Sequence, residues 1–196
     1  MRKAFMALLV LVGCASVSFA QGEYKKGEIF VGYSANQVDT NGAFSPDPND
    51  NGRDNFNGVN VEATGNLTRY FGVQGDFSYH RKEADFTFGT VTTNVKGQLT
   101  QFMGGVKVQD NATATRFRPF AHALVGVAHA SSDLRTPTVS VSDDDNGLAL
   151  ALGGGLDVRA TNSLDIRVVQ VDYNPNRFNG ETDNNIRLSF GVNFRF

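Results

Sequence analysis

The last eleven residues leave this chain few ways to fold. In Ile186-Arg187-Leu188-Ser189-Phe190-Gly191-Val192-Asn193-Phe194-Arg195-Phe196 every second side chain is apolar. Side chains alternate across a β-strand with period two, so Ile186, Leu188, Phe190, Val192, Phe194 and Phe196 share one face. Arg187, Ser189, Gly191, Asn193 and Arg195 share the other. The pattern recurs in Val59/Val61/Ala63/Gly65/Leu67, in Phe71/Val73/Gly75/Phe77/Tyr79, and in Leu148/Leu150/Leu152/Gly154/Leu156/Val158, each interleaved with polar or small residues. No segment after Gln21 keeps a helical stripe.

Eight strands are predicted, near 27–36, 56–67, 71–82, 94–108, 117–130, 147–159, 164–173 and 185–196. The fourth and fifth alternate least cleanly: Gln101-Phe102-Met103 suggests a bulge, and Pro119 belongs near a strand start, where a missing donor costs least. The connections sort by length. Those at 37–55, 83–93, 131–146 and 174–184 are long and polar, whereas 68–70, 109–116 and 160–163 are short. An even number of strands with long loops at one end and tight turns at the other is the organisation of an outer-membrane barrel.

In such a barrel the apolar face meets lipid and the polar face fills the lumen. The predicted lipid face includes Leu148, Leu150, Leu152, Leu156, Ile186, Leu188, Phe190, Val192 and Phe194. The predicted lumen carries Glu62, Asp76, Arg118, Asp157, Arg159, Asp165, Arg167, Arg187 and Arg195, five Arg against four acids, a set able to form an ion-pair lattice. Gly72, Gly153, Gly155 and Gly191 lie on the polar side, where they would relieve crowding in a narrow lumen. Tyr33, Phe56, Tyr70, Phe71, Tyr79, Phe117, Phe120, Tyr173 and Phe196 stand near strand ends as interfacial girdles. Eight strands enclose an interior that side chains just fill, so a plugged lumen is expected.

The N-terminus supports export. Met1-Arg2-Lys3 is basic, Ala4 to Gly13 is apolar, and Ser18-Phe19-Ala20 offers small residues before Gln21, the layout of a cleaved signal peptide over 1–20. The barrel domain then spans 21–196. Cleavage removes Arg2 and Lys3 and takes the net charge from −2 to −4. Leu11-Val12-Gly13-Cys14 resembles a lipobox, but Cys14 comes early and the Ala20 site is good, so the one Cys is expected to leave with the signal. With 40% hydrophobic residues in scattered positions, the chain has no run of roughly 20 apolar residues for a spanning helix. It has no basic cluster for nucleic acid.

Arg118-Pro119-Phe120, Gly153-Gly154-Gly155-Leu156-Asp157-Val158-Arg159, Leu164-Asp165-Ile166-Arg167 and the alternating end on Phe196 together resemble the small OmpA/OmpX-type outer-membrane β-barrel family. The resemblance covers 22–196. It implies an all-β, eight-stranded, antiparallel up-and-down transmembrane barrel in the bacterial outer membrane, monomeric and without cofactors. It also implies that the strand ending in Phe196 is read by the barrel-assembly machinery. Implied partners are outer-membrane lipid and lipopolysaccharide, and an extracellular partner reached through loops 37–55 and 131–146. A small-solute porin is the nearest alternative, and a secreted soluble barrel holding an apolar ligand is the alternative from another class.

Chemistry-bearing clusters are few. Asp47-Pro48-Asn49-Asp50-Asn51-Gly52 matches the opening of a calcium loop, but the twelfth position, which needs a bidentate Glu, is Gly58. Ser142-Asp143-Asp144-Asp145-Asn146 reads as a solvated loop tip. His122 and His129 are seven apart and face opposite sides of a regular strand, so they share no metal. His129-Ala130-Ser131-Ser132-Asp133, and His80 with Ser78, contain hydrolase residue types, but adjacent strand residues point apart and a triad needs them convergent. No catalytic, cofactor or metal residues are assigned.

Overall fold

The structure is a computed structural model and describes residues 24–40, 44, 52–88, 91–112, 114–136, 140–178 and 180–196. In chain order the strands are β1 (Gly27–Asp39), β2 (Arg53–Asn66), β3 (Phe71–Phe88), β4 (Val91–Gln109), β5 (Phe117–Arg135), β6 (Ser140–Arg159), β7 (Leu164–Tyr173), β8 (Asn176–Phe178), β9 (Glu181–Asp183) and β10 (Ile186–Arg195). Each of β1 to β6 pairs antiparallel with the next, and β7 pairs with β10. β10 returns to β1, in register from Glu28 opposite Arg195 to Gln37 opposite Ile186, and closes an eight-stranded ring. β8 and β9 form a small hairpin leaning on β6.

The ring turns its oily side chains outward. Leu148, Leu150, Leu152, Ile186, Leu188, Phe190, Val192 and Phe194 are exposed, with Phe190 at 54%, and Leu156 is half-buried. The largest fully buried side chains include Arg118, Arg167 and Arg187. In water this arrangement would be inverted; in a bilayer it places every apolar stripe against hydrocarbon and leaves no unpaired sheet edge there. β7 and β10 have ten residues each, the length a tilted strand needs to cross a bilayer.

β3 to β6 have 18, 19, 19 and 20 residues. Much of the expected loops 83–93 and 131–146 is therefore strand, and two long hairpins stand above one end of the ring. Asp143 and Asp145 belong to β6 opposite Ser132 and Ala130, so the expected loop tip at 142–146 is ladder. In the β5–β6 hairpin both faces are wet over 140–146, so no apolar alternation marks it as strand. In the β3–β4 hairpin Ala84, Phe86 and Phe88 do alternate with Glu83, Asp85 and Thr87, a short stretch that the polar reading of 83–93 passed over. The expected loop 174–184 likewise contains β8 and β9.

Two further expectations change. Gln101, Phe102 and Met103 keep unbroken register with both neighbours, with Phe102 outward and Met103 fully buried. What looked like a bulge is an apolar residue in the lumen. The irregularity lies in β7, where the ladders pass from Arg167 to Gln170 on one side and from Arg167 to Val169 on the other, and both Val168 and Val169 face outward. Phe56 and Phe120 are not girdle residues; they are 4% and 6% exposed and point inward.

Candidate functional site in the lumen and its mouth

The inward positions of β2, β3, β7 and β10 bring opposite charges together across the ring. Arg187 donates to both Asp76 oxygens at 3.0 Å and to Asp172 Oδ2 at 2.9 Å. Arg167 donates to Glu62 Oε2 at 2.6 Å, Asp157 Oδ1 at 2.8 Å and Gln170 Oε1 at 2.5 Å. Its guanidinium also stacks between the rings of Phe30 and Phe120, at 4.0 and 4.2 Å. Arg118 pairs with Asp165, and Arg195 lies 3.4 Å from Glu28 and 3.7 Å from Asp165. Planar guanidinium forks with several acceptors suit such networks. All of these charged side chains except Arg195 and Glu28, at 2%, are no more than 1% exposed.

Arg159 is the exception among the nine lumen positions read from the sequence. It lies half-buried at the short-turn end and donates to the Ala114 carbonyl at 3.3 Å, with no carboxylate partner among the described residues. Four groups were missed. Glu28 takes Lys107 at 2.7 Å, and Asp172 takes His122 at 2.8 Å as well as Arg187. Lys107 between outward Val106 and Val108, and Asp172 between Val171 and Tyr173, carried a legible alternation. Glu28 was hidden because its inward neighbour two residues on is Phe30, which reads as lipid-facing. Gly153 makes room for one of these groups. A Cβ there would collide with Asp172 Oδ1, so a bare backbone is what admits that carboxylate.

Above this charged layer, on the β4–β5–β6 side, the lumen turns apolar: Leu99, Met103, Leu124, Ala128, Ala149 and Ala151 form a buried cluster touched by Val38, Ala130 and Phe178. Between the layers Ser78 donates to Gln101, which donates to Asn174 and Asn176 at 2.8 Å each. At the long-hairpin end the cluster opens into a cavity of about 310 Å³. Burial, and then the carboxylates of Asp39 and Glu181, push the Asp183 carboxyl at its rim above the usual range. At the opposite end Arg69 grips Asp110 at 2.8 and 3.1 Å and holds that carboxyl below it.

The histidines fall in three settings. His80 shares a buried 2.9 Å hydrogen bond with Ser34, itself bonded to Ser189, and not with Ser78. His122 lies between Gln74 and Asp172. His129 is exposed and bonds Asn146 at 3.0 Å. Among the described residues no three His, Cys, Asp or Glu converge for a metal. Residues 1–20, Cys14 and most of the calcium-like 47–52 lie outside the described residues; Gly58 is inside β2.

The family model for the outer membrane protein beta-barrel domain matches residues 5–196. No curated protein gives a significant match. Among solved structures, the chain is similar to Ail, the attachment invasion locus protein of Yersinia pestis, at TM-score 0.63 and 18% identity, over 88% of this chain and 99% of that one. Ail in complex with the heparin analogue sucrose octasulfate gives 0.64 at the same identity and coverage. The outer membrane protein OprG of Pseudomonas aeruginosa gives 0.50 at 13% identity, over 88% and 97%. At these identities the likeness is one of fold. Closed ring, outward apolar stripes and family match agree: the chain belongs to the outer membrane protein β-barrel domain family and is a bacterial outer-membrane protein.

Proposed function

We propose that this protein is a non-conducting, non-catalytic scaffold that holds its two long hairpins outside the cell for adhesion or partner binding. The observation that carries the reading is the bridge Asp76–Arg187–Asp172, at 2.8–3.0 Å and 0% exposed, which with Arg167, Glu62 and Asp157 fills the middle of the ring. Short turns at one end and hairpins up to 20 residues a strand at the other set the orientation, because long connections face outward in this class. Residues 1–20 act as the cleaved signal, Cys14 leaves with it, and the strand ending at Phe196 is the segment the assembly machinery engages. Lipopolysaccharide surrounds the outer half of the apolar band.

Ail has been seen with a sulfated heparin analogue. Here the β5–β6 hairpin carries Asp133, Asp143, Asp144 and Asp145 against Arg135, which favours a cationic partner over a polyanion. Planar-bilayer recording of the purified barrel is expected to show no reproducible openings; regular large steps would make it a porin. Shortening 131–146 while keeping heat-modifiable gel mobility is expected to abolish surface attachment of cells displaying the protein. Unchanged attachment would remove the β5–β6 hairpin from the function.

A further inference from the structure

The cavity at the long-hairpin end has features that closing the lumen does not require. Its wall is apolar, with Phe56, Leu99, Ala130 and Phe178, and Asp143 and Asp183 stand at its rim. Its floor holds two amides with unmet donors. Asn176 and Asn185 are each 1% exposed, and both line the cavity. Asn176 Oδ1 accepts from Gln101, and Asn185 Oδ1 accepts from the Asp39 N–H at 3.3 Å. The Nδ2 of each finds no acceptor among the described residues. A buried donor without an acceptor is costly and is uncommon in a native structure. Among the described residues other side-chain amides, such as those of Asn36 and Gln74, also lack an acceptor within the packed lumen, but those of Asn176 and Asn185 lie on a cavity surface, where they point to a ligand that brings an acceptor oxygen.

We propose that this mouth cavity binds small apolar ammonium compounds that also carry an amide carbonyl. The three parts of such a molecule match the three parts of the site. Its apolar group lies against Phe56, Leu99 and Phe178, its carbonyl accepts from Asn176 and Asn185, and its ammonium meets the carboxylates of Asp143 and Asp183. The neighbouring inward cation does not compete for these acids, because Lys82 is already paired with Asp54. Asp39 and Glu181 beside Asp183 add negative potential at this rim, which favours an incoming cation. A cavity of about 310 Å³ suits a small ligand. Gly97 contributes space, since a Cβ there would stand within 2.9 Å of the Phe44 and Phe56 rings that shape the wall. The inference rests on the closed-lumen reading only in that the closed lumen gives the cavity a floor.

The test uses the whole barrel in detergent micelles and phenylalaninamide as probe, with 3-phenylpropanamide, which keeps ring and carbonyl but lacks the charge. Side-chain amide NMR signals of Asn176 and Asn185 are expected to shift saturably with phenylalaninamide, with at least fivefold weaker binding of 3-phenylpropanamide. Asp143→Asn with Asp183→Asn is expected to weaken phenylalaninamide at least fivefold and leave 3-phenylpropanamide unchanged; both sites lie on the wet hairpins, and heat-modifiable mobility reports whether the variant folds. Absence of a saturable shift in the wild type, or equal binding of the two probes, overturns the proposal. So does a folded double variant that binds phenylalaninamide as well as the wild type does. Channel openings in bilayers would refute the closed lumen without touching this result, and absence of binding would leave the closed lumen standing.

Discussion

Arg187 shows how one side chain can hold a lumen shut. A guanidinium removed from water loses several kcal/mol of hydration, and only close, well-aligned acceptors return it. Asp76 and Asp172 supply four contacts at 2.8–3.0 Å from opposite walls of the ring. Arg187→Met therefore leaves two carboxylates facing each other without their cation. The expected loss is about 3–5 kcal/mol, as for breaking a buried pair, read from urea unfolding in lipid vesicles. Adding Asp76→Asn to it removes one stranded charge and is expected to restore part of that loss; a double variant less stable than the single would contradict the pairing. The sequence carried Arg187 and Asp76 plainly because each stands between apolar or small neighbours on a clean strand. Glu28 was not legible, because lumen-facing Phe30 serves Arg167 as a ring to stack on and so breaks the rule that inward means polar.

Alternation is written only where the two faces of a strand meet different surroundings. β6 shows both regimes. From Leu148 to Asp157 one face meets lipid and the other the lumen, and the period is clear; from Ser140 to Asn146 water lies on both sides, and the strand reads as a loop. β4 and β5 blurred for another reason: Leu99, Met103 and Leu124 face the lumen, so contrast between the faces falls although the ladder is regular. The β7 bulge left a mark in the sequence that the expected regular strand over 164–173 passed over: the apolar phase of Leu164 and Ile166 slips to that of Val169, Val171 and Tyr173, with Val168 belonging to the first. A lipid face of this kind has a depth-dependent cost for charge. Leu152, 57% exposed and midway along the apolar run of β6, is expected to lose roughly 2–4 kcal/mol on change to Arg. Leu67, 63% exposed beside the β2–β3 turn, is expected to lose about 1 kcal/mol or less. Vesicle unfolding of the two variants measures the difference, and equal losses would refute the placement of the bilayer along the strands.

At the scale of the whole molecule the barrel exists because its two ends meet. Among the described residues β1 and β10 are the first and last strands, so their pairing closes the ring only when every strand between them is in place. The seam continues to the last residue: Lys26 and Gly27 N–H donate to the Phe196 carbonyl at 2.9 Å, and Phe196 N–H donates to Gly27 O at 3.0 Å. Removing 186–196 would leave β1 and β7 as open edges in hydrocarbon, where each unpaired N–H or C=O costs several kcal/mol, so no folded, heat-modifiable form is expected. Phe196→Ala separates this requirement from recognition of the terminal aromatic. The backbone seam survives the substitution, and the ring, 49% exposed, lies so close over Gly27 that a Cβ there would collide with it. Half of a Phe burial is worth about 1 kcal/mol, too little to open a closed barrel. The purified Phe196→Ala chain is therefore expected to refold in vesicles with heat-modifiable mobility close to the wild type, while cells insert it into the outer membrane more slowly. If refolding in vesicles fails as well, the terminal ring acts through the stability of the seam; if cellular insertion is unchanged, the assembly machinery does not read it.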